Sequence, residues 1–98
     1  MKRFEITAQA RNDLRSIGRY SVAKWGVQKR NDYLRSLSRR FHWIAENPNL
    51  GTPRPDIDID YFCFPEGEHL IFYILIDNLP VIVGIPHKRM DAVAHFQK

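Results

Sequence analysis

The sequence predicts a small α+β domain of order β-α-α-β-β-β, a helical hairpin packed on a small twisted antiparallel sheet. Three observations predict it. Residues 8–46 carry apolar side chains at spacings of three and four, interrupted once at Gly26. Residues 61–85 hold three aromatic and β-branched runs separated by turn-like tetrapeptides. Between them lies "NPNLGTPRPDIDID", residues 47–60, with three prolines, a glycine and no helical period. A chain of 98 residues has room for one core, so residues 1–98 are expected to form one domain.

The first element is a short strand in "RFEIT", whose Thr7 can cap the helix that follows. From Ala8 to Trp25 the positions Ala10, Leu14, Ile17, Ser21 and Trp25 share one helical face, Ser21 being a small tolerated member. Gly18 lies inside this helix at a cost of about 1 kcal/mol against Ala, which suggests close approach by a neighbouring backbone. Gly26 is expected to stop the helix in the left-handed region. The second helix, Val27 to about Glu46, carries the stripe Leu34, Leu37, Phe41, Ile44 and Ala45. It stops at Asn47-Pro48, because a residue before proline avoids the helical region. So short a connection makes the two helices antiparallel neighbours.

Residues 47–60 then cross the surface as a loop, with a strand beginning near its end. "YFCF" (61–64), "HLIFYILI" (69–76) and "VIVGI" (81–85) follow as an antiparallel meander, turning at "PEGE" and "DNLP". The middle run is apolar on both faces, so the hairpin covers one side and something else the other. Pro86 lacks an amide donor and marks the end of the last strand or an edge position. The tail "MDAVAHFQK" is expected to form a turn or two of helix.

Composition excludes several classes of function. The one cysteine, Cys63, sits among aromatic residues, which rules out an internal disulfide framework and a cysteine-based zinc site and fits the reducing cytoplasm. His42, His69, His87 and His95 show no ligand spacing, so neither a metal nor another cofactor is expected. "MKRFEIT" has no apolar run of signal-peptide length, and Leu70 to Ile76 is too short to span a bilayer. The charge is uneven. Residues 1–46 hold eleven Lys and Arg against four Asp and Glu, and residues 47–98 hold four against seven. A balance of +7 on the helical half and −3 on the rest makes the hairpin a candidate surface for an anionic partner.

Two clusters of residues have no evident structural job. Trp43 stands about 140° from the core stripe of the second helix, among Lys29, Asp32, Ser36 and Arg39. It either folds down over a basic stem or anchors a bound protein, where tryptophan and arginine are favoured. Tyr20 and Val22 leave the stripe of the first helix and extend the same candidate patch. The basic residues lack the aromatic interleaving of a single-strand nucleic-acid platform, so direct nucleic-acid binding is not expected. The second cluster is "IPHKRMD", residues 85–91. Metal-free RNA cleavage needs a base, an acid and cations around the phosphate. His69 and His87 can shuttle protons, and Arg54, Lys88 and Arg89 can hold phosphate. The sequence does not show that these groups meet.

The order of motifs is recognisable. Ala10, Leu14, Ile17 and Tyr20 keep an A-x3-L-x2-I-x2-Y spacing, followed by Trp25-Gly26, Tyr33-Leu34 and "AENP" at 45–48 with Gly51. Then come Phe64-Pro65 with Gly67, His69, Ile71-Phe72-Tyr73, and finally His87, Met90 and Asp91. Over about residues 5 to 95 this series resembles the ParE branch of the RelE/ParE toxin superfamily. The resemblance implies a bacterial, cytoplasmic toxin of a type II toxin–antitoxin pair, acting by poisoning DNA gyrase without catalysis of its own. It implies neutralisation by a ParD-type antitoxin in a hetero-oligomer, with Tyr20, Val22, Arg39 and Trp43 as candidate antitoxin contacts and Lys88 and Arg89 as candidate target contacts. The alternative is a ribosome-dependent mRNA endonuclease of RelE type using Arg54, His69, His87 and Arg89; a third is a binding module without toxicity. Phe62-Cys63-Phe64 stands where RelE-type nucleases place phosphate-binding cations, which weighs against the nuclease. Pro86 replaces a residue that is usually aliphatic. His87 and Asp91 are then expected to tie the tail to the sheet while Lys88 and Arg89 face outward.

Overall fold

The computed structural model describes residues 3–97; Met1, Lys2 and the final Lys98 of the tail lie outside the described residues. The elements are β1 (Glu5–Ile6), α1 (Ala8–Trp25), α2 (Val27–Glu46), β2 (Thr52–Pro53), β3 (Phe62–Glu66), β4 (His69–Ile76), β5 (Leu79–Gly84) and α3 (Ala92–Phe96). They form one five-stranded sheet in the order β1-β5-β4-β3-β2.

The helical hairpin forms where the apolar period puts it. Thr7 caps α1, its Oγ1 accepting the Ala10 amide at 3.2 Å. Gly26 stops α1 with its amide on the Val22 carbonyl, but at φ 89° and ψ 172° its backbone is extended in mirror image rather than left-handed helical. Gly18 is not a point of backbone contact. A methyl group added there would meet only Arg30 Cδ and Leu34 Cδ1, each at 3.8 Å.

The sheet differs from the expected meander in two places. β1 pairs parallel with β5, Glu5 opposite Val81 and Ile6 opposite Ile82, so the sheet is mixed. The chain between these strands crosses over through both helices, as parallel neighbours require. The loop strand lies at the start of residues 47–60, where Thr52–Pro53 edges β3, and not near their end. Residues 54–61 instead curl into turns closed by the Arg54 amide on the Tyr61 carbonyl at 2.8 Å. A two-residue edge strand tolerates Pro53, since an outer edge needs no amide donor.

β3–β4 and β4–β5 are antiparallel, as the runs predict. Asp77 and Asn78 both have positive φ, the signature of a two-residue hairpin turn, so Leu79 and Pro80 belong to β5 rather than to the turn. Pro86 has a local cost. Its carbonyl accepts the Leu70 amide at 2.9 Å, but it cannot return the bond. The regular ladder therefore stops at Gly84 and resumes as a single bridge between His69 and His87.

β4 is covered on both faces. Ile71 and Tyr73 join Ile17, Leu37, Phe41 and Ile44 beneath the hairpin. Phe72 joins Cys63, Val81 and Val83 on the other face, where Tyr61 and Phe96 close over them. Each such side chain contributes about 1.5–3 kcal/mol on burial. Cys63 is a buried member of this core, and burial pushes its thiol up despite the opposing effect of Arg54. Among the described residues no helix is long and apolar enough to cross a membrane.

Candidate interaction sites: an apolar groove and a histidine cleft

The hairpin leaves a groove of about 640 Å³ between α1, α2 and β1. Leu14 and Leu34, core residues by periodicity, are only half-buried and line it with Phe4, Ile6, Val22 and Phe41. Gly18 leaves its wall low. Arg15 and Arg19, one turn apart on α1, and Arg30 on α2 line the same groove. An apolar trough with three guanidinium groups suits a segment carrying aliphatic and acidic side chains.

The four residues predicted to form one antitoxin patch do not meet. Val22 lines this groove, whereas Tyr20, two positions away, lies in a different cleft. Residues two apart on a helix do not face each other. Trp43 and Arg39 share a shallow depression with Ser36, Arg40 and Glu66. Trp43 is half-buried rather than projecting: its ring lies 4.7 Å from that of Phe64. The Arg40 guanidinium stacks 4.9 Å from Trp43 and 4.7 Å from Phe64, held by Glu66 at 2.8 Å. The helical wheel places Trp43 among the right neighbours but does not show that β3 reaches up to cover it.

The second site is a cleft of about 610 Å³ where α1, the start of β4, the segment after β5 and α3 converge. It brings His69 and His87 together, their ring centroids 5.3 Å apart. Arg89 also lines it, exposed like Lys88. Arg54 does not. It stacks 5.2 Å over Phe72 on the opposite face of the sheet and pairs with Asp56 at 2.9 Å. So three of the four residues of the nuclease reading share one site and the fourth is remote. His42 is exposed beside Phe4, their rings 5.0 Å apart, and no group of three or more potential metal ligands occurs among the described residues.

His69 is buried and held by Tyr33. The Tyr33 hydroxyl accepts the Glu68 amide at 3.0 Å and lies 2.6 Å from His69 Nδ1. The hydroxyl donates its one proton to the Glu66 carbonyl at 3.3 Å and so accepts from His69 Nδ1–H, which leaves Nε2 of neutral His69 without a proton; the tautomer is assigned from this network. Burial first, and His87 second, push the His69 pKa down to about 4, so the ring is neutral at physiological pH. Burial, reinforced by the Glu68 and Glu66 charges against an opposing bond from the Glu68 backbone, pushes the Tyr33 hydroxyl up and keeps it a donor. His87 is oriented by its own loop, Nδ1 accepting the Arg89 amide at 3.1 Å. His87 ties the chain to the sheet by its bridge to His69, whereas Asp91 caps α3 within the tail itself, accepting the Val93 amide at 3.0 Å, and makes no bond to a strand among the described residues.

Sequence reasoning missed Tyr33, Asp13 and His95. Asp13 Oδ2 accepts the Ile85 amide at 2.8 Å and faces His95 Nε2 at 2.9 Å, clamping α3 to α1 beside the cleft. The signal for Asp13 was its place on the apolar stripe, three residues after Ala10 and four before Ile17. His95 gave none, since its partner lies 82 positions away.

Residues 4–92 match the family described as ParE toxin of type II toxin-antitoxin system, parDE. The chain is 34% identical to Toxin ParE1 of Caulobacter vibrioides over 95 residues, covering 97% of this chain and 98% of that protein. It is 29% identical to Toxin ParE1 of Mycobacterium tuberculosis over 90 residues, covering 91% and 92%. A solved structure titled "Chromosomal ParDE TA system from P. aeruginosa" superposes with a TM-score of 0.75 at 17% identity, over 89% of this chain and 96% of that one, and so shares the fold. With the hairpin, the sheet and nearly the whole length in agreement, the chain belongs to the family of ParE toxins of type II toxin–antitoxin systems.

Proposed function

We propose that this protein arrests bacterial growth from the cytoplasm by poisoning DNA gyrase, without chemistry of its own. In this reading a ParD-type antitoxin holds it inactive in a hetero-oligomer. The observation that carries the antitoxin reading is the groove, an apolar floor under Arg15, Arg19 and Arg30 that complements an acidic, apolar tail. Val22 contributes to its wall; Trp43 and Arg39, on the outer face of α2, are candidates for a rim contact further along the same segment. Family membership supports gyrase as the target, and so does β3. Its residues Phe62, Cys63 and Phe64 supply packing rather than phosphate-binding cations. Lys88 and Arg89, both exposed, are the proposed target contacts.

The test is to add purified toxin to gyrase and supercoiled DNA. Loss of supercoiling with accumulation of cleaved DNA is expected, reversed by the antitoxin. Unchanged supercoiling and cleavage over a broad range of toxin concentration would make the target wrong.

The convergence of His69 and His87 favours a second reading, an mRNA endonuclease acting on the ribosome. Defined cuts that disappear in His87→Ala and Arg89→Ala would establish it, and intact transcripts in arrested cells would remove it. Against it stands the distant Arg54, which pairs with Asp56 on the opposite face of the sheet.

A further inference from the structure

The groove under Arg15, Arg19 and Arg30 has its chemical complement in this same chain. No acidic residue lines it, and among the described residues no carboxylate pairs with any of its three guanidinium groups. The side-chain partners of Arg15 and Arg30 are neutral, Asn12 Oδ1 at 2.6 Å and Asn31 Oδ1 at 2.9 Å. Beneath them Leu14 and Leu34 stay half-buried, so an apolar floor lies under unanswered positive charge.

The complement is the turn that joins β2 to β3. Three of the seven acidic residues after position 46 fall at Asp56, Asp58 and Asp60, alternating with Ile57 and Ile59. The turn is held in shape by its own backbone. The Ile57 amide donates to the Arg54 carbonyl at 3.0 Å, and the Tyr61 amide to the Asp58 carbonyl at 3.1 Å. This order gives the two isoleucines opposite roles. Ile57 packs against the core of Cys63 and Phe72, whereas Ile59 is 81% exposed, more than any other large apolar side chain among the described residues. Arg54, the one cation of residues 54–61, is taken by Asp56 at 2.9 Å. Asp58 gives one oxygen to the Ile59 amide at 2.7 Å and keeps the other for a partner. The turn therefore presents one aliphatic side chain between two exposed carboxylates, Asp58 and Asp60.

We propose that this groove docks a second copy of the chain through that turn, Ile59 lying on Leu14 and Leu34 and its flanking carboxylates meeting Arg15, Arg19 and Arg30. An aliphatic side chain framed by acids matches an apolar trough framed by guanidinium groups in both hydrophobicity and charge. Because the turn is ordered before it docks, little conformational freedom is lost on contact. The groove lies against β1 and the turn leaves β2, at opposite edges of the five-stranded sheet. A chain cannot fill its own groove, so each copy offers one turn and one groove to others. The contact does not rest on the antitoxin reading, which makes no use of the turn.

Sedimentation velocity of the full chain alone, over a range of concentrations, reads the association. The average mass should rise above that of a single chain as concentration approaches about 1 mM, and fall back as salt is added. Two variants at exposed positions divide the contact: Ile59→Ser with Asp60→Lys on the turn, and Arg15→Glu with Arg19→Glu on the groove. Each should weaken association at least about tenfold. Mixed in equal amounts, they restore one intact turn and one intact groove, and should form pairs that grow no further. The turn variant should keep the antitoxin affinity of the wild type, which separates this contact from antitoxin docking. The proposal falls if the chain stays single up to about 1 mM, on the scale of weak affinities. It also falls if either variant associates as the wild type does, or if the mixture stays single or grows past pairs.

Discussion

His69 places a proton-sensitive weak point inside the sheet. Its ring is buried, neutral and anchored to Tyr33, with its pKa pushed down to about 4 from 6.5. In the unfolded chain the ring takes up a proton near the ordinary value, whereas in the fold it resists doing so. Between these two values the unfolded state holds more protons, so stability is full above the upper one and falls as pH drops towards the lower. A shift of this size corresponds to about 3 kcal/mol. Urea unfolding followed across this range should show that slope in the wild type, and His69→Gln should flatten it. Equal slopes in both proteins would assign the acid sensitivity to other groups. The Tyr33 hydroxyl makes the site specific. Tyr33→Phe leaves the Glu68 amide and His69 Nδ1 without their partner and should cost about 1–2 kcal/mol in the same measurement. None of this was legible from "EHL", because burial of His69 follows from a hairpin helix that arrives 36 residues earlier in the chain.

The helices were legible because an amphipathic stripe at a period near four is a local property, and both caps are coded within a few residues. The central strands were legible for the same reason. β1 and β2 were not fully so. Each has two residues, and each depends on a partner the sequence cannot point to: Val81 and Ile82 for one, Phe62 and Cys63 for the other. Gly18 shows where a local rule misleads. It reads as a mark of close backbone approach, but its neighbours are the flexible Arg30 and Leu34 side chains at ordinary contact distance. Gly18→Ala should therefore stabilise the toxin by about 1 kcal/mol, read as a higher denaturant midpoint at constant slope. The same methyl group raises the wall of the groove, so antitoxin affinity should fall or stay level while stability rises. A destabilised variant would show that α1 and α2 pack more tightly there than these contacts indicate.

Across the whole molecule, the surplus of +7 on residues 1–46 against −3 on the remainder becomes a spatial fact, because the first set is almost entirely the hairpin. An anionic antitoxin segment would be drawn to the helical side of the sheet. Its affinity should weaken as salt rises, and Arg15→Ala with Arg19→Ala should make that dependence shallower while lowering affinity at low salt. Calorimetry at two ionic strengths reads both effects, and identical salt slopes for wild type and variant would move the docking surface elsewhere. The candidate site residues were only partly legible at this scale. Their chemistry was visible in the sequence, but which of them meet was not. His69, His87 and Arg89 were brought together by sheet register, and Arg54 was sent to the other face by the turns of residues 54–61.

The joining of early and late segments has a further consequence. Thr7 donates its amide to the Ile82 carbonyl, Gln9 reaches the His95 carbonyl at 3.2 Å, and Asp13 waits for His95. A nascent chain still lacking residues 79–96 can coil its hairpin but has no partner for its first strand and no floor for its histidines. Such distant pairings delay closure. On the ribosome, then, the sheet and the clamp on α3 are completed only as almost the last residues emerge.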